Sequence, residues 1–417
     1  MTEYRFAGRW TPEDRRAALY RSLLFDLPSD ATGLVIEIDY AKTPRAALDV
    51  GLSDPRGFRG WSGSSRKRIE LSNEHATPGY LAGDLPSGAW AVELGLHRVP
   101  EEGLAFEVRI GTNDPVKLAA PKLTLEATPH TTRDLPAPDG LRWIPGDLRA
   151  HSEHSDGTEP LADLADRAVR AGLGFLVVAD FNTISHYDEI AAINASGKIL
   201  LVPGQTVATD TGHAAVLGRS RWIDLRTAPA DWAGEVWADG GIVSVNHPVK
   251  ADSGWVTPLG RRVDMAEVWT GGWDQRDLAA LAWWMAAGPE VVPVGGSGWT
   301  GPDSAGSLGS PTTWVLTEND DVIDGLRHGR TAITATPDGP LLLPVGQELI
   351  VLGGAGLHLV AWDGSERRIY RDEERFPLPS TPTFLRDADR TVAISAGSSA
   401  GTSGTREESN STPDTAN

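Results

Sequence analysis

Between positions 146 and 157 the chain reads GDLRAHSEHSDG, which crowds Arg149, His151, His154 and Asp156 into one short segment. Imidazole nitrogens and carboxylate oxygens grouped in this way are the donors of a divalent-metal site. Similar groups recur downstream: Asp180, Asn182 and His186 in ADFNTISH, His213 in TDTGH and His247 in IVSVNHP. Five of the ten histidines fall between 151 and 247. The chain has no cysteine, so any metal would be held by nitrogen and oxygen alone. Arg149 is the anomaly, because a guanidinium keeps its proton and cannot coordinate a cation.

Each of these groups follows an apolar run, and those runs are the strands that must position them. IPGDL, FLVVAD, ILLVPG, IVSVNHP, DMAEVW and VVPVGGS alternate with segments of helical character. One such segment is PLADLADRAVRAG (160–172), with apolar residues at helical spacing and a glycine stop; another is QRDLAALAWWMAAG (275–288). Alternation of strand and helix over about 170 residues predicts an α/β fold with a parallel sheet, open or closed into a barrel. In a barrel the loops after the strands converge on one mouth, where these polar groups would meet.

The flanking segments follow other patterns. LVIEIDY, KRIELS, WAVELGL and AFEVRIG alternate with period two and are separated by turn clusters, so residues 1–127 read as an antiparallel β-sandwich. Trp61, Tyr80 and Trp90 either form a ligand platform there or fill the core. The proline-rich stretch 128–140 reads as a linker, 141–340 as the barrel and 341–394 as a β-rich segment. Residues 395–417 are polar and small, which predicts a disordered tail.

The ordered set GDLRAHSEHSDG, GLGFLVVADFNTISH, VPGQTVATDTGH, VNHP, AEVWTGG and VPVGGSGWTG resembles the PHP (polymerase and histidinol phosphatase) domain, in its carbaryl-hydrolase-like branch. The resemblance runs from about Gly146 to Pro340, and 59–99 is similar to the β-rich N-terminal module of that branch. It implies a distorted (β/α)7 barrel that holds two or three divalent metals and hydrolyses phosphoesters or related esters. Carried over by position, it implies nine metal ligands, of which four stand here: His151, Asp156, His213 and His247. Arg149, Phe181, Thr206, Gly298 and Thr300 occupy the other five positions. Phenylalanine and glycine offer no ligand side chain, and threonine is a weak neutral one. His154 and His186 stand where the branch often has histidine, which implies supporting or surface roles. Glu267 also matches the branch, and two roles stay open for it: lining the mouth or satisfying a buried backbone group.

A guanidinium placed among Asp156, Asp147 or Asp180 would neutralise them as metal ions do, since its fork pairs well with carboxylates. Arg149 is therefore expected either to stand in for metal charge, to bind an anion such as phosphate, or simply to pair with a nearby acid.

Composition bounds the remaining readings. A net charge of −19 repels a phosphate backbone, which argues against nucleic-acid binding. The longest apolar run, at 278–287, is about half a membrane span, so a cytoplasmic protein without membrane contact is expected. No Gly-x-Ser-x-Gly elbow or Walker-type lysine motif occurs. Two functions are set against each other. One is a descendant of metal-dependent hydrolases, catalytically impaired, that binds a small anionic ligand or a partner at the mouth. The other is an active hydrolase using a single manganese, zinc or iron ion. A third possibility assigns a binding role to the N-terminal sheets.

Overall fold

The computed structural model describes residues 3–112, 115–129, 133–219, 221–260, 263–274, 278–288 and 290–397. The tail expected from 395 thus lies almost wholly outside the described residues, as does the start of the helix expected at 275–288.

The N-terminal part consists of β1 (Glu3–Trp10), α1 (Pro12–Ala17), β2 (Tyr20–Leu27), β3 (Gly33–Tyr40), β4 (Ala47–Asp54), β5 (Gly57–Gly63), β6 (Arg68–Ser72), β7 (Gly88–Arg98) and β8 (Leu104–Thr112). They form two four-stranded antiparallel sheets, ordered β1-β8-β3-β6 and β2-β7-β4-β5. Alternation along β3 shows why: Ile36 and Ile38 are buried while Glu37 and Asp39 face solvent. Ile36 and Ile38 share one core with Val50 and Leu52 of β4 and Val92 and Leu94 of β7, so both sheets close over the same apolar layer. Tyr80 and Trp90 belong to that core, which rules out a platform role for them.

The second part begins with β9 (Arg142–Ala150), α2 (Leu161–Arg170), β10 (Phe175–Phe181), α3 (Tyr187–Asn194) and β11 (Leu200–Thr209). It continues with β12 (Gly212–Leu217), α4 (Pro229–Ala238), β13 (Ile242–Val245), β14 (Met265–Thr270), α5 (Ala279–Ala287) and β15 (Val292–Gly296). These seven strands are neighbours in chain order. β10 is buried from Phe175 to Asp180, as a strand covered on both faces must be. The sheet curls until the chain beyond β15 meets β9 again. There Ala150 and Trp299 form a parallel bridge, flanked by His151 N–H donating to Trp299 O and Gly298 N–H to Arg149 O, each at 2.8 Å.

The expectation of a wholly parallel sheet is corrected at β12, which runs antiparallel to both β11 and β13. Only Asp210 and Thr211 separate β11 from β12, and a link that short can return the chain only as a hairpin. Gly212 completes the turn at φ 126°, where a Cβ would fall 2.5 Å from the Trp255 backbone. His213 consequently starts a strand rather than following one, yet it reaches the same rim, paired in register with Ala208 of β11.

Beyond the ring, β16 (Thr312–Thr317), α6 (Val322–Arg327) and β17 (Thr331–Thr334) follow, with β16 antiparallel along the outer edge of β9. Strands between Leu341 and Ser395 extend the same sheet and add a small three-stranded one. The N-terminal sheets sit against the ring. Ser185 Oγ accepts from Gly79 N–H at 3.1 Å, Thr183 Oγ1 donates to Gly79 O at 2.9 Å, and Phe58 stacks on Trp222 with centroids 3.9 Å apart. Among the described residues no helix is long and apolar enough to cross a membrane.

Candidate functional site at the mouth of the strand ring

Arg149, near the end of β9, lies at the floor of the mouth. Its Nε and one terminal nitrogen donate to the two carboxylate oxygens of Glu267 on β14, at 2.8 and 2.9 Å, and the same terminal nitrogen reaches Thr270 Oγ1 at 3.0 Å. Both side chains are buried, at 10% and 3% exposure. Burial pushes the Glu267 carboxyl upward, but the guanidinium outweighs it and holds the group below the ordinary glutamate value. Burial likewise acts against the charged guanidinium, and Glu267 more than offsets it. The carboxylate partner of Arg149 is thus Glu267, not Asp156, Asp147 or Asp180 as the local sequence suggests.

Gly298 completes the floor. A Cβ there would fall 2.6–2.9 Å from the guanidinium atoms of Arg149, and the residue has φ 62°. Any side chain at 298 would therefore compete for the volume that the guanidinium fills.

Above this floor the strands deliver His151, Phe181, His213 and His247 in a row. The rings of His151 and Phe181 lie 4.4 Å apart, Phe181 and His213 5.2 Å, and His213 and His247 5.3 Å. Phe181, the last residue of β10, is thus wedged between two of the imidazoles. His151 Nδ1 lies 3.0 Å from Asp156 Oδ1, yet neither ring nitrogen makes a hydrogen bond of good geometry, and His247 Nδ1 and the hydroxyl of Thr206 are also without partners. Burial lowers the His247 pKa to about 4; Glu267 opposes it, and Arg149 and Lys250 add smaller downward effects. Burial, then His247 and Arg149, lowers that of His213 to about 3. His247 also has a left-handed backbone, φ 31°, which is costly for a residue with a side chain.

The remaining residues singled out from sequence form the wall behind the mouth. Asp147 accepts from the backbone N–H groups of Arg149, Ser297 and Gly309 at 2.8–3.1 Å, fixing the closure of the ring. Asp180 accepts from Ser152 N–H, Ser152 Oγ and Ser155 Oγ at 2.6–2.8 Å, so it shapes the loop after β9. His154 is held between Ser185 Oγ at 2.7 Å and Glu189 at 3.1 Å. His186 is completely buried; its Nε2 lies 3.1 and 3.2 Å from the carbonyls of Val178 and Gly204, and burial lowers its pKa to about 4. The Asn182 amide pairs with the Ala208 backbone at 2.9 and 3.2 Å. Of these side chains, His186 alone keeps a ring nitrogen without a hydrogen bond: its buried Nδ1 lies 3.3 Å from Asp180 Oδ2. Among the described residues, no three His, Asp or Glu side chains come together in a way that holds a metal ion. With Phe181 between the imidazoles and a guanidinium beneath, these side chains do not fit the two or three divalent ions that the family resemblance implies.

The mouth is roofed by the N-terminal sheets, enclosing a cavity of about 410 Å³ between Asp156, Phe181 and His213 below and Tyr20, Asp49 and Trp61 above. Sequence reasoning missed Asp49, His97 and Asp210 of this lining. They come from β4, β7 and the β11–β12 turn, and no local motif links them. Asp210 pairs with Arg15 and lies 3.4 Å from His97 Nδ1, which together hold its carboxyl below the ordinary value.

No protein-family model matches the chain, and no curated protein does. Among solved structures, a two-domain protein from Bacteroides vulgatus containing a predicted PHP-like metal-dependent phosphoesterase is 17% identical, with a TM-score of 0.42 over 67% of this chain and 93% of that one. An amidohydrolase from Chromobacterium violaceum, with bound sulfate and no metal, is 15% identical, with a TM-score of 0.32 over 46% of this chain and 98% of that one.

The floor yields a stability prediction. Arg149→Met leaves Glu267 buried without its partner and should cost roughly 3–5 kcal/mol in denaturant unfolding, whereas Arg149→Met with Glu267→Leu should recover most of that loss. Unchanged stability in the single variant contradicts the pairing. The wall yields a titration. His186 has a folded pKa of about 4, below its ordinary 6.5, so its contribution to stability is complete above pH 6.5 and is lost as pH falls toward 4. In NMR its ring signals should stay unprotonated from pH 8 down to about 5, and a midpoint near 6.5 would contradict its burial.

Proposed function

We propose that this chain is a PHP-domain protein of metal-dependent phosphoesterase ancestry in which the Arg149–Glu267 pair has taken over the charge balance that metal ions supply, and that its mouth binds a small molecule without hydrolysing it. One observation carries the reading: the guanidinium of Arg149 fills the volume over Gly298, forked on Glu267. Gly298 and Arg149 stand at two of the positions where the resemblance calls for metal ligands, so one change accommodates the other. Hydrolysis by this class depends on a cation that acidifies water and clamps the leaving oxygen. An arginine already matched by a carboxylate does neither, and it offers no unpaired charge to an anion at that point.

A second reading, a hydrolase with a single ion, draws support from His213 and His247. Burial keeps both imidazoles neutral, the state that binds metals, and Nδ1 of His247 is unpartnered. Elemental mass spectrometry on protein purified without chelator or affinity metal separates the two. The proposal expects far less than one equivalent of manganese, zinc or iron, and no melting shift on adding any of them. About one equivalent that disappears in the His213→Ala, His247→Ala double variant would establish the single-ion site instead.

A further inference from the structure

We infer that a groove on the N-terminal part, between Arg15, Arg16, Arg45, His97 and Arg98, binds an oxyanion of the phosphate or sulfate kind, free or as the charged end of a larger molecule. The groove lies outside the mouth, so the inference goes beyond the reading above and stands whether or not the mouth holds a metal ion.

The first argument is composition. The chain carries 57 acidic against 38 basic residues, yet among the described residues this groove of about 410 Å³ is lined by four arginines, one histidine and no carboxylate. In so acidic a protein, a cleft lined by one sign of charge focuses a local field that attracts anions.

The second argument is how the cations are held. Arg15, on α1, donates through Nε to the carbonyls of Leu96 and His97 at 2.9 and 3.3 Å, which fastens it to the end of β7. Arg98, the last residue of β7, donates through one terminal nitrogen to Pro44 O at 3.0 Å. Pro44 and Arg45 form the centre of a tight turn between β3 and β4, closed by two backbone hydrogen bonds of 3.0 Å between Thr43 and Ala46. The guanidinium of Arg98 is therefore seated on the turn that presents Arg45. A carbonyl directs a guanidinium but carries no net charge to balance it. Cations from three elements thus converge although like charges repel.

The third argument is the count of partners. Arg16 is matched by Glu13 at 2.6 Å. Arg15 pairs with Asp210, but the same carboxylate also serves His97 at 3.4 Å and holds its pKa above the ordinary value against burial. Arg45 and Arg98 are exposed, and neither makes an ion pair among the described residues. The unpaired carboxyl of Asp49 lines the adjoining cavity, not the groove, and feels His97, Lys42 and Arg98 together. Two guanidiniums without a carboxylate of their own suit a ligand with several acceptor oxygens, because each planar fork can take a pair of them. Phosphate and sulfate offer enough oxygens for both forks, whereas a single carboxylate fills one.

Titration calorimetry on the full chain at pH 7.5 and fixed ionic strength tests this, with inorganic phosphate, sulfate, glycerol 3-phosphate and acetate as probes. Arg45→Gln with Arg98→Gln removes the two unmatched guanidiniums. Arg368→Gln with Arg371→Gln takes the same charge from the C-terminal part, as a control for the overall field. Arg45→Glu alone, at the exposed tip of its turn, supplies the same readout should the double variant melt early. The expected result is saturable binding of phosphate and sulfate, weakened roughly tenfold or more by the groove variants and unchanged by the control pair. Tighter binding of glycerol 3-phosphate than of inorganic phosphate would identify the anion as the end of a larger molecule, and equal or weaker binding would identify it as free. No saturable binding, binding that acetate matches, binding indifferent to the groove variants, or an equal loss in the control pair would overturn the inference.

Discussion

A guanidinium can be buried only where a carboxylate meets it, and the floor of this mouth is built around that requirement. Arg149 comes from β9 and Glu267 from β14, with only β15 between them across the closure of the strand ring, and their two-pronged contact ties those strands together. The contact exists only because residue 298 has no side chain to contest the space. Desolvation of the pair costs several kcal/mol per ion in principle, and a third hydrogen bond, from the same terminal nitrogen to Thr270, helps offset it. The closure of the ring is fixed next to the pair, where Asp147 collects backbone N–H groups from three segments.

Given that floor, the character of the mouth follows. Burial keeps His213 and His247 neutral, so the imidazoles cannot balance an anion by protonating near neutral pH. Phe181 separates His151 from His213 and turns the centre of the rim apolar. The N-terminal sheets then supply the polar half of the cavity, through Asp49 and the groups around Asp210. The chemistry of the site is thereby divided between the two parts of the chain, each of which positions its share through its own core.

Some of this architecture is legible in the amino-acid sequence. The apolar spacing of LADLADRAV gives α2, whose Leu161, Leu164, Ala165, Ala168 and Val169 are all buried, and the uninterrupted FLVVAD gives the doubly covered β10. Alternation in LVIEIDY gives a strand with one wet face. The direction of β12 is not legible in the same way, because it depends on a two-residue turn that apolar patterning does not register. Nor is the partner of Arg149: Glu267 is 118 residues away, whereas Asp147 and Asp156 are close in sequence but already engaged elsewhere. The cavity roof is the hardest to anticipate, since Asp49, His97 and Asp210 meet only once the two parts of the chain dock.

The claim that an ion pair occupies the place of a metal is tested most directly by X-ray diffraction from crystals soaked in millimolar manganese, with data collected for anomalous signal. The account predicts no anomalous peak within the mouth and an Arg149 side chain still forked on Glu267. A peak held by His213 and His247, with the guanidinium swung away from Gly298, would contradict it.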